Sequence, residues 1–263
     1  MSTGTFVPAP GTAPLSRRVL AQASMEARLM LRNGEQLLLA VVIPVIVLVG
    51  AVQGADRIGL DLSGQRAVDV FTPGVLALAV MSTSFTSLAI ATGFERRYGV
   101  IKRLGSSPLT RGGLLGGKVL ALLAVEVLQV LVVGAVGLAL GWDPRTDAAG
   151  LGAALLTLAL GTAAFASLGL LLAGALRAEA TLAAANLVYL LLLAGGAVVL
   201  PADAYGGFGS VVTWLPSGAL GEAMRASLER GGELGSTTVT AWAVLLAWAV
   251  VGTVATSRRF QWE

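Results

Sequence analysis

The chain has no cysteine and no histidine among its 263 residues. Disulfides, thiolate nucleophiles, zinc sites built on Cys or His, and Ser-His-Asp triads are therefore excluded. Charge is scarce too: Asp, Glu, Lys and Arg make up 13% of the chain, against roughly 25% in a soluble domain. Lysine occurs only at Lys102 and Lys118, and aromatic residues are 6%. The few acids form no clustered motif for magnesium or calcium, so no metal site is assigned. In their place stand apolar residues, 56% of the chain with a mean hydropathy of +0.81. They fall in runs near 20 residues, the length that crosses a hydrocarbon core. The pI near 9.8 is that of a membrane protein with basic cytoplasmic loops, and no nucleic-acid partner is expected.

Residues 1–15 are rich in Pro, Thr, Ala and Gly and lack a basic start followed by an apolar run. They read as a disordered cytoplasmic tail rather than a cleaved signal. Residues 16–35 read as an amphipathic helix at the membrane interface. Val19, Leu20, Ala23, Ala27, Met30 and Leu31 share one face and Arg17, Arg18, Arg28 and Arg32 the other, while Met25 and Leu29 break the pattern. Six apolar segments follow, at about 36–54, 71–94, 112–141, 149–176, 180–200 and 238–256, in one transmembrane domain over 36–258 with a short tail at 259–263. Each must be helical, because lipid offers backbone polar groups no partner. Pro44 should kink the first. The expectation is an all-α integral membrane protein with six transmembrane helices.

Orientation follows from the positive-inside bias. With the N-terminus inside, most of the 18 basic residues fall on the cytoplasmic side, and only Arg57, Arg66, Arg145, Arg225 and Arg230 lie outside. Asp56, Asp61, Asp69, Asp143, Asp147 and Asp203 lean outward. An even number of spans returns the C-terminus to the cytoplasm, where Arg258 and Arg259 agree.

Residues 201–237 are too polar and too broken by glycine and Pro216 to span, yet they hold Phe208, Val211, Val212, Trp214 and Leu215. One or two short re-entrant or interfacial helices on the outer side fit this pattern, with Trp214 at headgroup level. Glu222, Arg225 and Glu229 share a face of such a helix. Residues 112–119, GGLLGGKV, nearly spell a phosphate-binding loop. Val119 stands where a hydroxyl would bind magnesium, and no strand precedes the stretch, so nucleotide binding is rejected. The glycines read as a turn into the third span, and Lys118 as snorkelling to headgroups. Pairs spaced as Gly-x-x-x-Gly, such as Gly113/Gly117, carry little weight among 34 glycines.

The densest charge adjoining apolar runs is in residues 94–118. Phe94, Tyr98 and Ile101 share a helical face, with Glu95, Arg96, Arg97, Lys102 and Arg103 around them. A short amphipathic helix stopped by Gly105 and Pro108 would lie flat on the membrane and orient a soluble partner by charge. A plain positive-inside loop reads equally well from the residues alone.

The pattern F-E-R-R-x-G-x-I-K-R-L-x-x-x-P-L-x-R, with G-K opening the next apolar helix, resembles the permeases of ABC type-2 transporters. The resemblance runs from about residue 16 to 258 and includes Leu215 to Arg225 before the last span. It implies a cytoplasmic coupling helix between spans 2 and 3 that docks on ATPase subunits. The residues concerned are Phe94, Glu95, Arg96, Arg97, Gly99, Lys102, Arg103, Leu104 and Pro108. It further implies an ATP-driven exporter in a bacterial plasma membrane. Two such ATPase subunits carry ATP and magnesium, and this chain binds no cofactor. A second permease copy, the same or related, completes the path among membrane lipids.

Polar residues inside the spans are path candidates: Ser84 and Ser87 in the second, Gln129 in the third, Asn186 and Tyr189 in the fifth. Hydrogen bonds between helices are the alternative for Ser, Thr and Asn. The low aromatic content favours an apolar or amphipathic cargo over a sugar polymer. Glu126 is the acid placed inside a span, roughly 12 Å beyond Lys118 at 1.5 Å per residue, and such a residue is costly. A structural ion pair or hydrogen bond, or the handling of a proton or cation, would account for it. An intramembrane lipid-modifying enzyme and a membrane scaffold remain as other readings of the chain.

Overall fold

A computed structural model of the chain describes residues 13–34, 38–58, 62, 64–105, 109–229 and 235–259. Among these the secondary structure is helical, with no strand. Helix α1 is Leu15–Arg32. Helix α2 is a π turn, Leu38–Val42, running into Ile43–Ile58. Helix α3 is Ala67–Arg97, with a π segment at Ser82–Ser87. Then come α4 Val100–Gly105, α5 Arg111–Ala139, α6 Ala148–Ala175 and α7 Ala178–Gly195. Two short pieces, Ala202–Phe208 and Gly209–Val212, lead to α8 Pro216–Glu229 and α9 Ser236–Arg259.

Among the described residues, five helices are long and apolar enough to cross a membrane: Ala67–Arg97, Gly112–Ala139, Ala148–Ala175, Ala178–Gly195 and Ser236–Arg259. The first expected span is a shorter apolar helix, Ala40–Ala55. Helix α3 is the axis of the bundle. Its most apolar window is 78% buried, whereas that of α7 is 17% buried. Helices α2, α5, α6, α7 and α8 all pack on α3, and α9 lies along α6 and α8. The exposed Leu131, Leu155, Leu191 and Val251 belong to outward faces that only lipid or another apolar partner would accept.

Pro44 acts locally as its chemistry requires. Proline has no N–H and crowds the carbonyl four residues back, which here is that of Ala40. The chain widens into the π turn just before Pro44, and the Ala40 carbonyl accepts instead from Gln129 Nε2 at 2.6 Å. The Gln129 Oε1 accepts from Thr83 at 3.0 Å, so one buried amide joins α2, α3 and α5. Gln129→Leu should cost about 1–3 kcal/mol by leaving these groups without partners. A thermal melt in detergent reads this, and an unchanged midpoint would remove the assigned role.

The outer segment departs from expectation. Helix α7 ends at Gly195 rather than near 200, and residues 196–200 continue as buried, non-helical chain. This chain is wedged between two glycines. A methyl group on Gly74 of α3 would meet the Val199 carbonyl at 2.6 Å, and one on Gly221 of α8 would meet the Val198 carbonyl at 2.7 Å. The exposed carbonyls are collected by Arg225, which is 4% exposed. Its guanidinium donates to Ala197 at 3.1 Å, Val198 at 3.1 Å, Val199 at 3.2 Å and Leu200 at 3.4 Å, and pairs with Glu222 at 2.8 Å. Glu222 also accepts from the Ala202 amide at 3.0 Å. Helix α8 is therefore buried on nearly every side and not merely interfacial. Trp214 and Phe208 remain 65% and 75% exposed.

Candidate functional site

The charged stretch that the sequence presents as one amphipathic helix is divided in two. Helix α3 continues through Phe94, Glu95, Arg96 and Arg97, and only Val100–Gly105 forms the separate short helix. The break falls at Tyr98 and Gly99, whose amides donate back to Phe94 and Arg96 at 2.9 and 3.1 Å. Gly99 holds φ at +68°, a value that disfavours any residue with a Cβ. The α3 helix persists because its last turn has partners within the bundle. Glu95 reaches Lys118, Arg96 donates to the Ala173 carbonyl, and Arg97 pairs with Glu179 of α7. Phe94 stacks on Tyr98, with ring centroids 6.2 Å apart.

Helix α4 anchors through buried Ile101 and half-buried Leu104, and it exposes Lys102 and Arg103. Tyr98 is 64% exposed beside it, with the Arg97 guanidinium 5.8 Å from its ring centroid. Of the sequence candidates, Arg97, Lys102 and Arg103 reach the surface, while Glu95 and Arg96 turn inward. Pro108 lies outside the described residues.

Lys118 does not snorkel. It is 5% exposed and lies between two carboxylates, with Nζ 3.0 Å from Glu26 of α1 and 2.7 Å from Glu95 of α3. Gln22 donates to the same Glu26 at 2.8 Å. The three helices meet because α1 lies along the start of α5. A methyl group on Gly117 would strike Gln22 at 2.7 Å, and one on Gly113 would meet Val19 at 3.4 Å. The glycines at 112–117 are thus helical and not a turn, and Gly113 and Gly117 among them serve close packing. Helix α5 begins after Thr110, whose hydroxyl accepts from the Gly113 amide at 3.1 Å. The inward stripe of α1 is buried at Gln22 and Ala23 and half-buried at Val19, Glu26 and Met30, whereas Leu20 and Leu31 are exposed. A carboxylate within that 3–4 stripe, opposite G-x-x-x-G-K, was the signal for the ion cluster. A cavity of about 400 Å³ opens beside Glu26, Glu95 and Lys118, with Ser87 on its wall.

The sequence-derived path residues do not converge. Ser84 is buried and donates to the Val80 carbonyl of its own helix at 2.5 Å. Gln129 is engaged by Ala40 and Thr83. Tyr189 is half-buried on α7. Asn186 faces outward on α7. Glu126 is 3% exposed, and its Oε2 accepts from Thr162 of α6 at 2.7 Å. Its Oε1 has no hydrogen-bond partner.

A bundle of apolar helices with a short basic helix tied to its charged end defines a multi-pass membrane protein. The family model described as ABC-2 family transporter protein matches residues 36–258, and the chain belongs to that family. It is accordingly a transporter permease subunit. No curated protein matches the chain.

Proposed function

We propose that this permease works as a six-span subunit of an ATP-driven exporter, with α2 as its first span. Both termini face the cytoplasm of a bacterial cell, the side to which the basic ends of α1, α3 and α9 incline. Two separate ATPase subunits hold ATP and magnesium and dock on α4 with the exposed residues around Tyr98. A second permease copy, identical or related, covers the outward face of α7, where Asn186 stands among Leu187, Leu190 and Leu191. The path runs between the copies and takes an apolar or amphipathic cargo.

The observation that carries this reading is the Lys118 cluster. Helix α4 follows α3 after one tight turn, and Lys118 clamps that end of α3 to α1 and α5. A push on α4 therefore acts on three helices at once, the rigid linkage that transmission of a partner's movement requires. The π segment at Ser82–Ser87 lies further along the same helix, and such widened turns inside α-helices occur frequently at functional sites.

Reversing Lys102 and Arg103 to Glu places like charge where a complementary partner surface would sit. The tagged protein, purified in mild detergent, should bring down ATPase activity. The double variant should retain on the order of tenfold less, equivalent to about 1.4 kcal/mol of contact energy. A monodisperse wild type without associated ATPase would overturn the reading.

A further inference from the structure

A groove of about 730 Å³ runs between α5, α6 and α9. Leu115, Val119 and Leu123 form its α5 bank, one row of that helix at four-residue spacing. Its floor on α6 is Ala159, Ala163 and Ala166. Ala159 and Ala163 are exposed, so the groove opens on the outward side of the bundle. The wall hydroxyls donate their protons to groups of the bundle itself. Ser167 donates to the Ala164 carbonyl at 2.8 Å, Thr256 to the Ser167 carbonyl at 2.9 Å and Ser257 to the Val254 carbonyl at 2.9 Å. The trough therefore suits a hydrocarbon chain better than a polar body.

The groove has the length of one leaflet. Ala159 to Leu170 on α6 rises roughly 16 Å at 1.5 Å per residue, and half of a hydrocarbon core is roughly 15 Å. One end of the groove lies where three helices end. Leu115 is one turn after Arg111, the first residue of α5, and Leu170 is near the end of α6 at Ala175. On α9 the wall reaches Ser257, and the helix closes directly afterwards with Arg258 and Arg259. Both arginines are exposed, and among the described residues neither pairs with a carboxylate. The described acids at this end are engaged by other cations, Glu26 and Glu95 by Lys118 and Glu179 by Arg97. The mouth of the groove is thus positive and the trough behind it apolar.

We infer that the groove holds one acyl chain of an anionic phospholipid, with the lipid phosphate at Arg258 and Arg259. Charge selects the headgroup, because arginines at a membrane surface attract anionic lipids and a guanidinium can hold two phosphate oxygens together. Packing selects the chain, which covers the small exposed alanines of the floor. A helix of another protein, about 10 Å across with its side chains, would bring no fixed negative charge to the arginines. A lipid seated in this way touches the ends of α5, α6 and α9 together. The inference concerns this chain by itself and holds with or without an ATPase partner.

The test is native mass spectrometry of the full chain, delipidated in mild detergent and titrated with phosphatidylglycerol or with phosphatidylcholine of the same acyl chains. The wild type should retain one phosphatidylglycerol per chain. It should do so at concentrations roughly tenfold below those needed for phosphatidylcholine, the order expected of two arginines beside an anionic headgroup. Arg258→Gln/Arg259→Gln should abolish that preference, and two exposed positions at a helix end leave the fold intact. Ala163→Phe, which fills the floor and keeps both arginines, should lose the retained lipid of either kind. Equal retention of the two lipids by the wild type would overturn the inference, as would a preference that survives in Arg258→Gln/Arg259→Gln. Retention unchanged in Ala163→Phe would also overturn it and leave a lipid held by surface charge alone. A lipid-free dimer that Ala163→Phe dissociates would overturn it in favour of a second copy seated in the groove.

Discussion

Arg225→Ala should lose its folded, monodisperse state in detergent, with a loss of about 3–5 kcal/mol, the range for breaking a buried charge pair. The effect is large because the arginine serves a whole stretch of backbone. The carbonyls of Ala197, Val198, Val199 and Leu200 converge on it. They lie in chain with no helical partners of its own, between Gly74 and Gly221. Without the guanidinium these buried carbonyls would lose its donors, and the Glu222 carboxylate would lose its counter-charge. Lysine would not replace it, since a compact ammonium lacks the planar fork that reaches several acceptors together. Arg225→Lys should therefore be intermediate. Glu222→Gln keeps an acceptor for the Ala202 amide and should cost only about 1 kcal/mol. Size-exclusion profiles and melting midpoints of the three variants, measured side by side, check the order. An Arg225→Ala protein that melts with the wild type would show that the carbonyls have another partner.

Much of the bundle was legible because one physical rule dominates it. Long apolar runs in lipid must be helices, and the helices α3, α5, α6 and α9 begin and end within a few residues of the runs that announce them. The exceptions are places where a polar side chain takes over backbone satisfaction. Residues 196–200 look like the end of a span by hydropathy, yet they leave the helix because Arg225, 25 or more residues later, supplies their donors. The π turn before Pro44 is similar. Proline announces the break, but the partner that stabilises it is Gln129, on another helix. A segment's own composition holds no record of such distant partners.

The site divides along the same line. Basic residues on a short segment between spans are visible from spacing, and α4 with exposed Lys102 and Arg103 lies where that spacing indicates. Which charges face outward is decided by tertiary contact. Glu95 and Arg96 resemble their neighbours in sequence, yet they turn in to Lys118 and the Ala173 carbonyl. Glu26 went unremarked because a single acid in an amphipathic helix is ordinary. Its place on the inward stripe becomes telling only when Gly113 and Gly117 let α1 approach α5. For Glu126 the sequence marked the residue, while Thr162 and the adjoining groove came from the packing of α6 and α9.

Lys118→Met should be the second severe variant, and the way it is rescued separates stability from coupling. Removing the ammonium leaves Glu26 and Glu95 as two carboxylates that met at one point, buried and with their shared counter-charge gone. A loss of about 3–5 kcal/mol is expected, as for other broken buried pairs. Neutralising the acids as well, in Glu26→Gln/Glu95→Gln/Lys118→Met, removes the uncompensated charge. Apolar or neutral replacement of a buried ion cluster is often neutral or stabilising, so the triple variant should regain most of the wild-type melting midpoint. Its helices would then meet through packing and weaker amide contacts, without the ion pairs that hold α1, α3 and α5 together. If those pairs transmit the partner's movement, the triple variant should bind the ATPase and hydrolyse ATP while transport per ATP falls several-fold. Measured in proteoliposomes, transport per ATP equal to wild type would mean that the cluster only holds the fold. A triple variant no more stable than Lys118→Met would show that the loss comes from packing around the lysine stem, not from stranded charge.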